Sequence, residues 1–425
     1  MMKTYFRPDK NTWDKLLKRP VFDNSALQEK VKAVLANVKQ QGDTAVQQYT
    51  TQFDGVNLDS FVVSQAEIEE VSTLVSADLK QAIEQAANNI KAFHSKQLRP
   101  IDMMETMPGI QCWRKSVGIE KVGLYIPGGS APLFSTILML GIPAQLAGCK
   151  EVVLCSPPNK AGKLHPAILF AAQLVGITKI FKIGGVQAIG AMAYGTATVP
   201  QVYKIFGPGN QFVTCAKQLI QQEGIAIDMP AGPSEVCVLA DDTAVPAFVA
   251  ADLLSQAEHG ADSQVILVST SENLVEKVQA ALGEQVALLS RKDVALKALN
   301  NSKAIIVNAL EEAIDLVNEY AAEHLIISYT DADAIAEKII NAGSIFIGNY
   351  SPESVGDYAS GTNHTLPTNG FAKAYSGVSI DSFVKKITLQ KLTKEGLHQI
   401  ANTVVLMAEA EGLDAHANAV KIRVV

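Results

Sequence analysis

The spacing of hydrophobic residues predicts helices over residues 24–100 and alternating strands and helices after them. In the N-terminal part, apolar side chains recur at helical intervals, as in ALQEKVKAVLANVKQQ and DLKQAIEQAANNIKAF. From residue 121 the pattern changes to short runs rich in β-branched residues, which are typical of buried strands. Helical stretches separate these runs. The alternation indicates parallel sheets covered by helices.

The strand-like runs fall into two series. Those of the first series lie at 121–126, 151–155, 178–183 and 202–206, and those of the second at 235–240, 264–269, 303–307, 324–328 and 344–348. The helices of the first series are predicted at 135–148, 163–175, 187–195 and 211–222. Two such series predict two α/β lobes, with a cleft between the lobes or at the carboxyl ends of their strands.

The chain after residue 348 departs from this alternation. Residues 349–379 show almost no apolar periodicity and are rich in Gly, Ser, Asn and Pro. A loop of that length inside an enzyme is usually functional or disordered, and this one contains Asp357 and His364. A helical pattern resumes at about 386–411 and is followed by a turn at Gly412 and a short final helix.

Composition and charge narrow the class of protein. Hydrophobic residues make up 48% and charged residues 19% of 425 residues, so the chain can bury a large core in more than one globular unit. The net charge of −7 is evenly spread, which argues against nucleic acid or an anionic membrane as a partner. The five cysteines show no C-x-x-C spacing and are expected to be reduced and buried. The N-terminus lacks the apolar core of a signal peptide, which favours a cytoplasmic protein.

Three glycine-rich segments follow strands of the first series. They are YIPGGSAP (125–132), KIGGVQAIG (182–190) and IFGPGNQF (205–212). Glycines at such positions let the backbone approach a ligand, and the next helix can direct its N-terminus at an anion. Each segment alone is typical of a tight strand-to-helix turn, whereas three at one sheet edge favour a nucleotide-like ligand. The G-x-G-x-x-G fingerprint is absent.

Two polar pairs stand out in the second series. Gln256 and His259 are three residues apart, and on a helix they would share one face. Glu323 and His324 are adjacent at a helix-to-strand junction, where a carboxylate and an imidazole could act as an acid/base couple. The alternatives are an ordinary polar helix face and a solvated helix end. Spacing alone does not decide between them.

Several longer motifs, in one colinear order, resemble the histidinol dehydrogenase family. They are VGLYIPGGSAPLFSTILMLGIPA, KIFGPGNQFVTCAK, DMPAGPSEV, ADLLSQAEHGADSQ, AAEHL, GDYASGTNHTLPT and AEAEGLDAHANAV. The resemblance extends from about residue 20 to the C-terminus. It implies a homodimeric, zinc- and NAD-dependent oxidoreductase of histidine biosynthesis. The implied reaction oxidises L-histidinol through L-histidinaldehyde to L-histidine with two NAD and one water.

The resemblance also implies roles for individual residues. His324 would act as the base and Glu323 would activate water. The implied zinc ligands are Gln256, His259, Asp357 and His416. Substrate contacts would come from these four, His324, Ser234 and Glu411, and NAD contacts from Tyr125, Gln187 and Asn210. Glu411 and His416 would reach the site from the partner subunit, and His364 lies beside the site by motif.

One departure from the family pattern lies in GGVQAIG, where Val186 and Gly190 replace expected alanines beside Gln187. This difference bears on the packing next to the implied NAD contact. The motifs of the implied zinc site and of the acid/base pair show no departure.

The hydrophobic pattern and the resemblance together predict two Rossmann-like lobes with parallel-sheet cores. The predicted parts are an N-terminal helical arm (1–22), a discontinuous first α/β domain with the metal and acid/base residues (23–123 and 236–380), a second α/β domain with the NAD contacts (124–235), and a C-terminal helical tail exchanged in a dimer (381–425).

Two other classes of protein share parts of this pattern. A non-catalytic two-lobed binding protein would have the same alternation, but such proteins are typically exported. A zinc hydrolase, in which metal-bound water attacks the substrate, would use the same ligand types. It would not need the glycine-rich turns between residues 121 and 235.

Overall fold

Three β-sheets organise the chain in the computed structural model, which describes residues 2–19, 25–128, 132–230 and 232–425. The strands are β1 (Lys3–Phe6), β2 (Met103–Met107), β3 (Ile110–Gly118), β4 (Lys121–Tyr125), β5 (Glu151–Ser156), β6 (Lys179–Lys182), β7 (Lys204–Phe206), β8 (Ala226–Ile227), β9 (Glu235–Ala240), β10 (Gln264–Ser269), β11 (Lys303–Ile306), β12 (His324–Ser328), β13 (Ser344–Ile347) and β14 (Val384–Leu392). Residues 129–131 of the predicted turn at 125–132 lie outside the described residues.

Helices connect most of these strands. They are α1 (Trp13–Leu16), α2 (Ser25–Gln41), α3 (Asp43–Tyr49), α4 (Gln65–Leu74), α5 (Ala77–Ser95), α6 (Ser135–Ala147), α7 (Pro166–Leu174), α8 (Gly185–Tyr194), α9 (Gln211–Gln222), α10 (Pro246–Ala257), α11 (Glu272–Val286), α12 (Lys292–Asn300), α13 (Leu310–Tyr320), α14 (Ala332–Ala336), α15 (Glu353–Tyr358), α16 (Ile380–Phe383), α17 (Lys394–Ala410) and α18 (Asp414–Lys421). No helix in the described ranges is both long enough and apolar enough to cross a membrane.

The two larger sheets are parallel and share one topology. The first lobe is built on the sheet β6-β5-β4-β7-β8, which comes from the first series of strands. The second lobe is built on the sheet β1-β11-β10-β9-β12-β13, which contains the second series. In both, the first strand of its α/β series lies in the middle and the later strands extend to either side, as in doubly wound folds. The prediction of two α/β lobes is confirmed, and the strands predicted from the apolar runs are present. Their residues are nearly all buried, as expected for parallel strands covered by helices.

The helices before residue 96 pack on the first large sheet. Val31, Leu35 and Val38 of α2 share a core with β5 and α8, and Ile83 and Ile90 of α5 share another with β4 and α6. The predicted grouping of residues 23–123 with 236–380 is therefore wrong for these helices. An amphipathic helix specifies that one face is buried, but it does not specify which of two similar sheets covers that face.

The packing of α2 on α8 accounts for one departure from the family pattern. A Cβ atom at Gly190 would lie 3.2 Å from Cγ1 of Val38 and 3.3 Å from Cδ2 of Leu35. Gly190 thus allows the two helices to approach closely. Val186, in the same helix, is buried in the same core.

The N-terminal segment is part of the second lobe. Strand β1 pairs in parallel with β11 at the sheet edge, and Trp13 and Leu16 of α1 are buried beneath the same sheet. The prediction of a separate helical arm over 1–22 is therefore wrong for residues 3–16. Pairing with a strand three hundred residues away is not encoded in the local pattern.

The third sheet is antiparallel, with the order β14-β3-β2. Strand β14 pairs with β3 along its whole length. The helix predicted from about residue 386 is thus wrong for residues 386–392, and the helical part of the tail begins at Lys394. The run VKKITLQKL is mostly exposed, so it lacks the apolar contrast that distinguishes a strand from a helix.

The last two helices pack mainly on each other. Helix α17 packs on β14 and on α18. Several apolar side chains of this pair are exposed, including Leu406 (57%), Met407 (62%) and Ile422 (62%). Clustered exposed apolar groups of this kind mark protein interaction surfaces.

Phe383 joins the tail to the first lobe, and its removal should destabilise the protein. The fully buried ring stacks on Phe206 with centroids 4.0 Å apart. We expect Phe383→Ala to lower the free energy of unfolding by about 3–5 kcal/mol, because it leaves a cavity. Urea denaturation followed by circular dichroism measures the change. The control Leu288→Ala, at a side chain 86% exposed, should change it by less than about 0.5 kcal/mol, and an equal loss in both variants would contradict the prediction.

Candidate active site

The two lobes face each other across a cleft of about 500 Å³. From the first lobe it is lined by the glycine-rich turn at 207–211, and from the second by Ser234, His259, Glu323 and His364. Strands of the first lobe meet the cleft at their carboxyl ends, because the turn follows β7. Strands of the second lobe meet it at their amino ends, because Ser234 precedes β9 and Glu323 precedes β12.

Glu323 and His324 lie at the junction between the end of α13 and the start of β12. The helix ends at Tyr320, its C-cap Ala321 adopts the left-handed conformation (φ +52°), and the chain enters the sheet at His324. Both side chains are buried, with 7% and 2% of their surface exposed. Oε2 of Glu323 accepts a hydrogen bond of 2.9 Å from the backbone N–H of Glu235. The pair predicted from sequence is therefore held inside the protein and not at a solvated helix end.

The ring of His324 is oriented by the same strand. Its Nδ1 lies 3.2 Å from the carbonyl oxygen of Glu235, and because a carbonyl only accepts, Nδ1 carries a proton. Nε2 consequently faces Asp357, whose Oδ1 lies 3.3 Å away without hydrogen-bond geometry. Burial lowers the pKa of His324, but the carboxylates of Glu323 and Asp357 together raise it well above its usual value.

Gln256 and His259 lie at the C-terminal end of α10. Gln256 is fully buried, yet neither its Oε1 nor its Nε2 has a hydrogen-bond partner. His259, just after the helix, is exposed to the cleft. Burial raises the pKa of Asp357, but His324 and, to a smaller extent, His364 and His259 bring it below its usual value. A buried amide without partners is costly unless a ligand completes its bonding.

The donor set at this end of α10 fits a metal ion. An amide oxygen, an imidazole and a carboxylate are available from Gln256, His259 and Asp357. Within the described ranges, however, no three His, Cys, Asp or Glu side chains are grouped as a metal site.

Glu353 belongs to this site although the sequence did not single it out. It is 2% exposed in α15, and its Oε1 accepts a hydrogen bond of 2.9 Å from the hydroxyl of Ser255. Burial raises the pKa of Glu353 to about 8, even though the nearby charge of His324 acts in the opposite direction. The one feature of the sequence that could have pointed to Glu353 is its position four residues before Asp357, on the same helical face.

His364 connects the segment 349–379, here called the polar loop, to the first lobe. Its Nδ1 lies 2.8 Å from the carbonyl oxygen of Asp357, and its Nε2 lies 3.1 Å from the hydroxyl of Thr136 in α6. Burial lowers the pKa of His364, which favours the neutral ring. Nδ1 then donates and Nε2 accepts, so both ring nitrogens are used within the chain.

Tyr125 and Gln187 lie close together in the first lobe. The hydroxyl of Tyr125 accepts a hydrogen bond of 3.1 Å from the N–H of Gly185, and burial raises its pKa to about 12. Gln187 is fully buried in the first turn of α8, and its Oε1 has no partner. Its Nε2 lies 3.5 Å from a carboxylate oxygen of Asp54.

Asn210 lines the cleft from the N-terminus of α9. Its side chain caps the helix by accepting hydrogen bonds from the N–H groups of Phe212 and Val213. The preceding turn is tightly constrained, because a Cβ atom at Gly207 would lie 2.0 Å from the carbonyl oxygen of Tyr125. This turn therefore requires glycine.

Glu411 and His416 lie away from the cleft of their own chain. Both are exposed where α17 meets α18. Within the described part of the chain, their side chains form no hydrogen bond or ion pair with residues of the cleft. The structure of a single chain does not bring these two predicted residues together with the others.

The fold and the cleft define a two-lobed α/β protein that holds a buried carboxylate–imidazole couple beside unpaired ligand groups, an arrangement typical of enzymes. Comparison with known proteins specifies the family. The family model for histidinol dehydrogenase matches residues 17–424. The chain belongs to the histidinol dehydrogenase family.

Individual relatives agree over nearly the whole length. The histidinol dehydrogenase of Bacteroides thetaiotaomicron is 57% identical over 423 residues, which cover 100% of this chain and 99% of that protein. The one from Xylella fastidiosa (strain Temecula1) is 54% identical, covering 93% and 92%. The crystal structure of histidinol dehydrogenase from Elizabethkingia anophelis has a TM-score of 0.97 at 54% identity, covering 99% of this chain and 98% of that chain.

A buried ion pair shapes the turn that carries Asn210, and breaking it should destabilise the first lobe. Lys217 donates hydrogen bonds to Asp228 (2.5 Å) and to the carbonyl oxygen of Gly207 (2.8 Å). The Lys217 side chain is 7% exposed and the Asp228 side chain 2%. We expect Lys217→Met to lower the free energy of unfolding by about 3–5 kcal/mol, because Asp228 would be buried without its partner.

Urea denaturation measures this loss against a matched exposed pair. Lys39 and Glu223 form an ion pair whose side chains are 59% and 42% exposed, so Lys39→Met should cost at most about 1 kcal/mol. Equal losses in the two variants would show that burial of the Lys217 pair has no special effect on stability.

Proposed function

We propose that this protein is a histidinol dehydrogenase that oxidises L-histidinol through L-histidinaldehyde to L-histidine, using two NAD and one water per substrate. Family membership supports the substrate and reaction class. The observation that carries the proposal is the cleft itself. It lies between Asn210 at a helix N-terminus on one side and Glu323 and His259 on the other.

A divalent ion, which we take to be zinc, would be held by Gln256, His259 and Asp357 of one chain. The unpaired amide of Gln256 supports this assignment, and so does the proximity of His259 to Asp357. When bound, zinc would anchor the two nitrogen donors of the substrate and polarise its alcohol. The partial negative charge at the C-terminal end of α10 favours a cation at this position.

The cofactor would lie against the first lobe. Tyr125, Gln187 and Asn210 surround the carboxyl ends of its strands, where dinucleotides bind in doubly wound folds. The partial positive charge at the N-terminus of α9 would favour a phosphate there, although the side chain of Asn210 already caps the N–H groups of Phe212 and Val213. Gln187 keeps an unpaired buried oxygen there, which a cofactor group could complete.

His324 would remove the alcohol proton as hydride leaves for NAD. The bond from its Nδ1 to Glu235 directs Nε2 toward the side where Asp357 lies. The carboxylates of Glu323 and Asp357 raise the pKa of this imidazole. A cation at Asp357 would lower the pKa of His324 by repelling the extra proton, which would leave Nε2 free to act as a base.

Glu323 would then activate a water molecule that attacks the aldehyde. One of its carboxylate oxygens is held by the N–H of Glu235, and the residue lines the cleft. His324 would again accept a proton when the hydrate is oxidised by the second NAD. Ser234, at the same edge of the second sheet, would contact the substrate.

We further propose a cytoplasmic homodimer in which the tails are exchanged. Glu411 and His416 would reach the cleft of the partner subunit, where His416 would complete the metal site. The exposed apolar side chains of α17 and α18 support such a docked position for the tail.

The stoichiometry of the reaction tests the proposal. Zinc-loaded protein given a limiting amount of L-histidinol and excess NAD should form about two NADH per histidinol, because both oxidations occur at one site. Absorbance at the NADH band and chromatography of histidine measure the two products. Treatment with a chelator should abolish NADH formation, and re-addition of zinc should restore it. One NADH per histidinol, or full activity without metal, would contradict the proposed reaction.

Subunit complementation tests the shared site. His324→Ala and His416→Ala should each be inactive alone as homodimers. In a mixed dimer, one site would combine the intact His324 of one chain with the intact His416 of the other, so activity should return to about half per dimer. Differently tagged chains purified as heterodimers give the measurement. Verified heterodimers without activity would indicate that each site is built within one chain.

A further inference from the structure

Arg19 contacts two segments that hold the acid/base couple, the start of β9 and the end of α13. Its guanidinium pairs with Glu235 through Nε (2.6 Å) and a terminal nitrogen (2.9 Å). Only 15% of the Arg19 side chain and 3% of the Glu235 side chain are exposed. This planar two-bond pairing is the geometry for which arginine is suited.

The same guanidinium holds the end of α13. It donates to the carbonyl oxygens of Tyr320 (2.7 Å) and Ala321 (3.4 Å), and it stacks on the ring of Tyr320 at 4.1 Å. These carbonyls belong to the left-handed turn that delivers Glu323 and His324 to the site. A turn in this conformation is strained for alanine, so it persists only when its surroundings hold it.

A third contact fixes the polar loop. Oε1 of Glu235 also accepts a hydrogen bond of 2.8 Å from the backbone N–H of Asn369. A Cβ atom at Gly370 would lie 3.2 Å from a terminal nitrogen of Arg19, so this loop covers the guanidinium. Arg19 is thus enclosed between the Tyr320 ring and the loop.

Glu235 transmits these contacts to the couple through its backbone. Its N–H binds the carboxylate of Glu323, and its carbonyl binds Nδ1 of His324. A shift of Glu235 would therefore move the carboxylate and turn the imidazole together.

We propose that Arg19 is a positioning residue for the Glu323–His324 couple. It clamps the side chain of Glu235 and the turn at Ala321, and in this way it fixes the carboxylate and the ring for proton transfer. The inference rests on the proposed function, because it assumes that the couple handles protons. Arg19 itself lies outside the set of residues lining the cleft.

Arg19→Lys is the sharpest test. Lysine keeps the charge beside Glu235 but cannot make two parallel bonds, stack on Tyr320 and reach both carbonyls at once. We expect kcat to fall about 10- to 100-fold, because small misplacements of catalytic groups have effects of this size. The KM for histidinol and the zinc content per subunit should stay near those of the parent. The loss should appear in both half-reactions, histidinol to aldehyde and aldehyde to histidine, since both groups are displaced.

A second variant separates positioning from charge neutralisation. Arg19→Met leaves Glu235 buried without its partner, whereas Arg19→Met with Glu235→Gln removes both charges. We expect the double variant to regain thermal stability relative to Arg19→Met while kcat stays low, because the turn and the loop remain unclamped. Recovery of kcat together with stability would overturn the proposal, since Arg19 would then serve only to neutralise Glu235.

Controls distinguish failure of this inference from failure of the proposed function. Arg7 forms an exposed ion pair with Glu272, and Arg7→Lys should leave kcat, KM and zinc content unchanged. If Arg19→Lys behaves like Arg7→Lys while Glu323→Gln impairs NADH formation, the positioning role is refuted and the function stands. If Glu323→Gln leaves NADH formation intact, the proposed function of the couple is itself refuted.

Discussion

The opposite polarity of the two parallel sheets at the cleft is the constraint on which the site depends. The first sheet presents the carboxyl ends of its strands and therefore the N-termini of the helices that follow them, including α8 and α9. The second sheet presents the amino ends of its strands and therefore the C-terminus of α10. Helix N-termini attract anions and helix C-termini attract cations. One wall of the cleft is thus suited to phosphate groups, and the other to a cation.

This arrangement also explains why Glu323 and His324 are buried yet well defined. Glu323 and His324 stand at the amino end of the central strand pair β9–β12, where the ladder begins and backbone groups are not yet used by a neighbouring strand. Glu235, the first residue of β9, offers these free groups to both side chains. The edge of a regular sheet therefore acts as a rigid frame for two titratable groups. That rigidity requires the buried pair between Arg19 and Glu235.

Local pattern predicted the strands of both lobes because a parallel strand buried on both faces is a short apolar run. It did not predict β14, whose exposed residues carry no such signal, nor the sheet on which α2 and α5 pack. Arg19, Glu235 and Glu353 were missed for a related reason. A charged residue that will be buried against a distant partner looks the same in sequence as a surface charge. Only the folded chain shows that these groups are paired.

Gln256 and His259 illustrate the division between sequence and structure. The sequence by itself determined the two α/β lobes, the helical spacing of this pair and the family to which the motifs belong, because these depend on local pattern and on colinear order. Tertiary structure decided that Gln256 is buried without partners, that His324 faces Asp357, and that the tail with His416 lies outside its own cleft. Such facts depend on which strand ends meet across the cleft. Contacts between segments hundreds of residues apart leave no trace in local spacing.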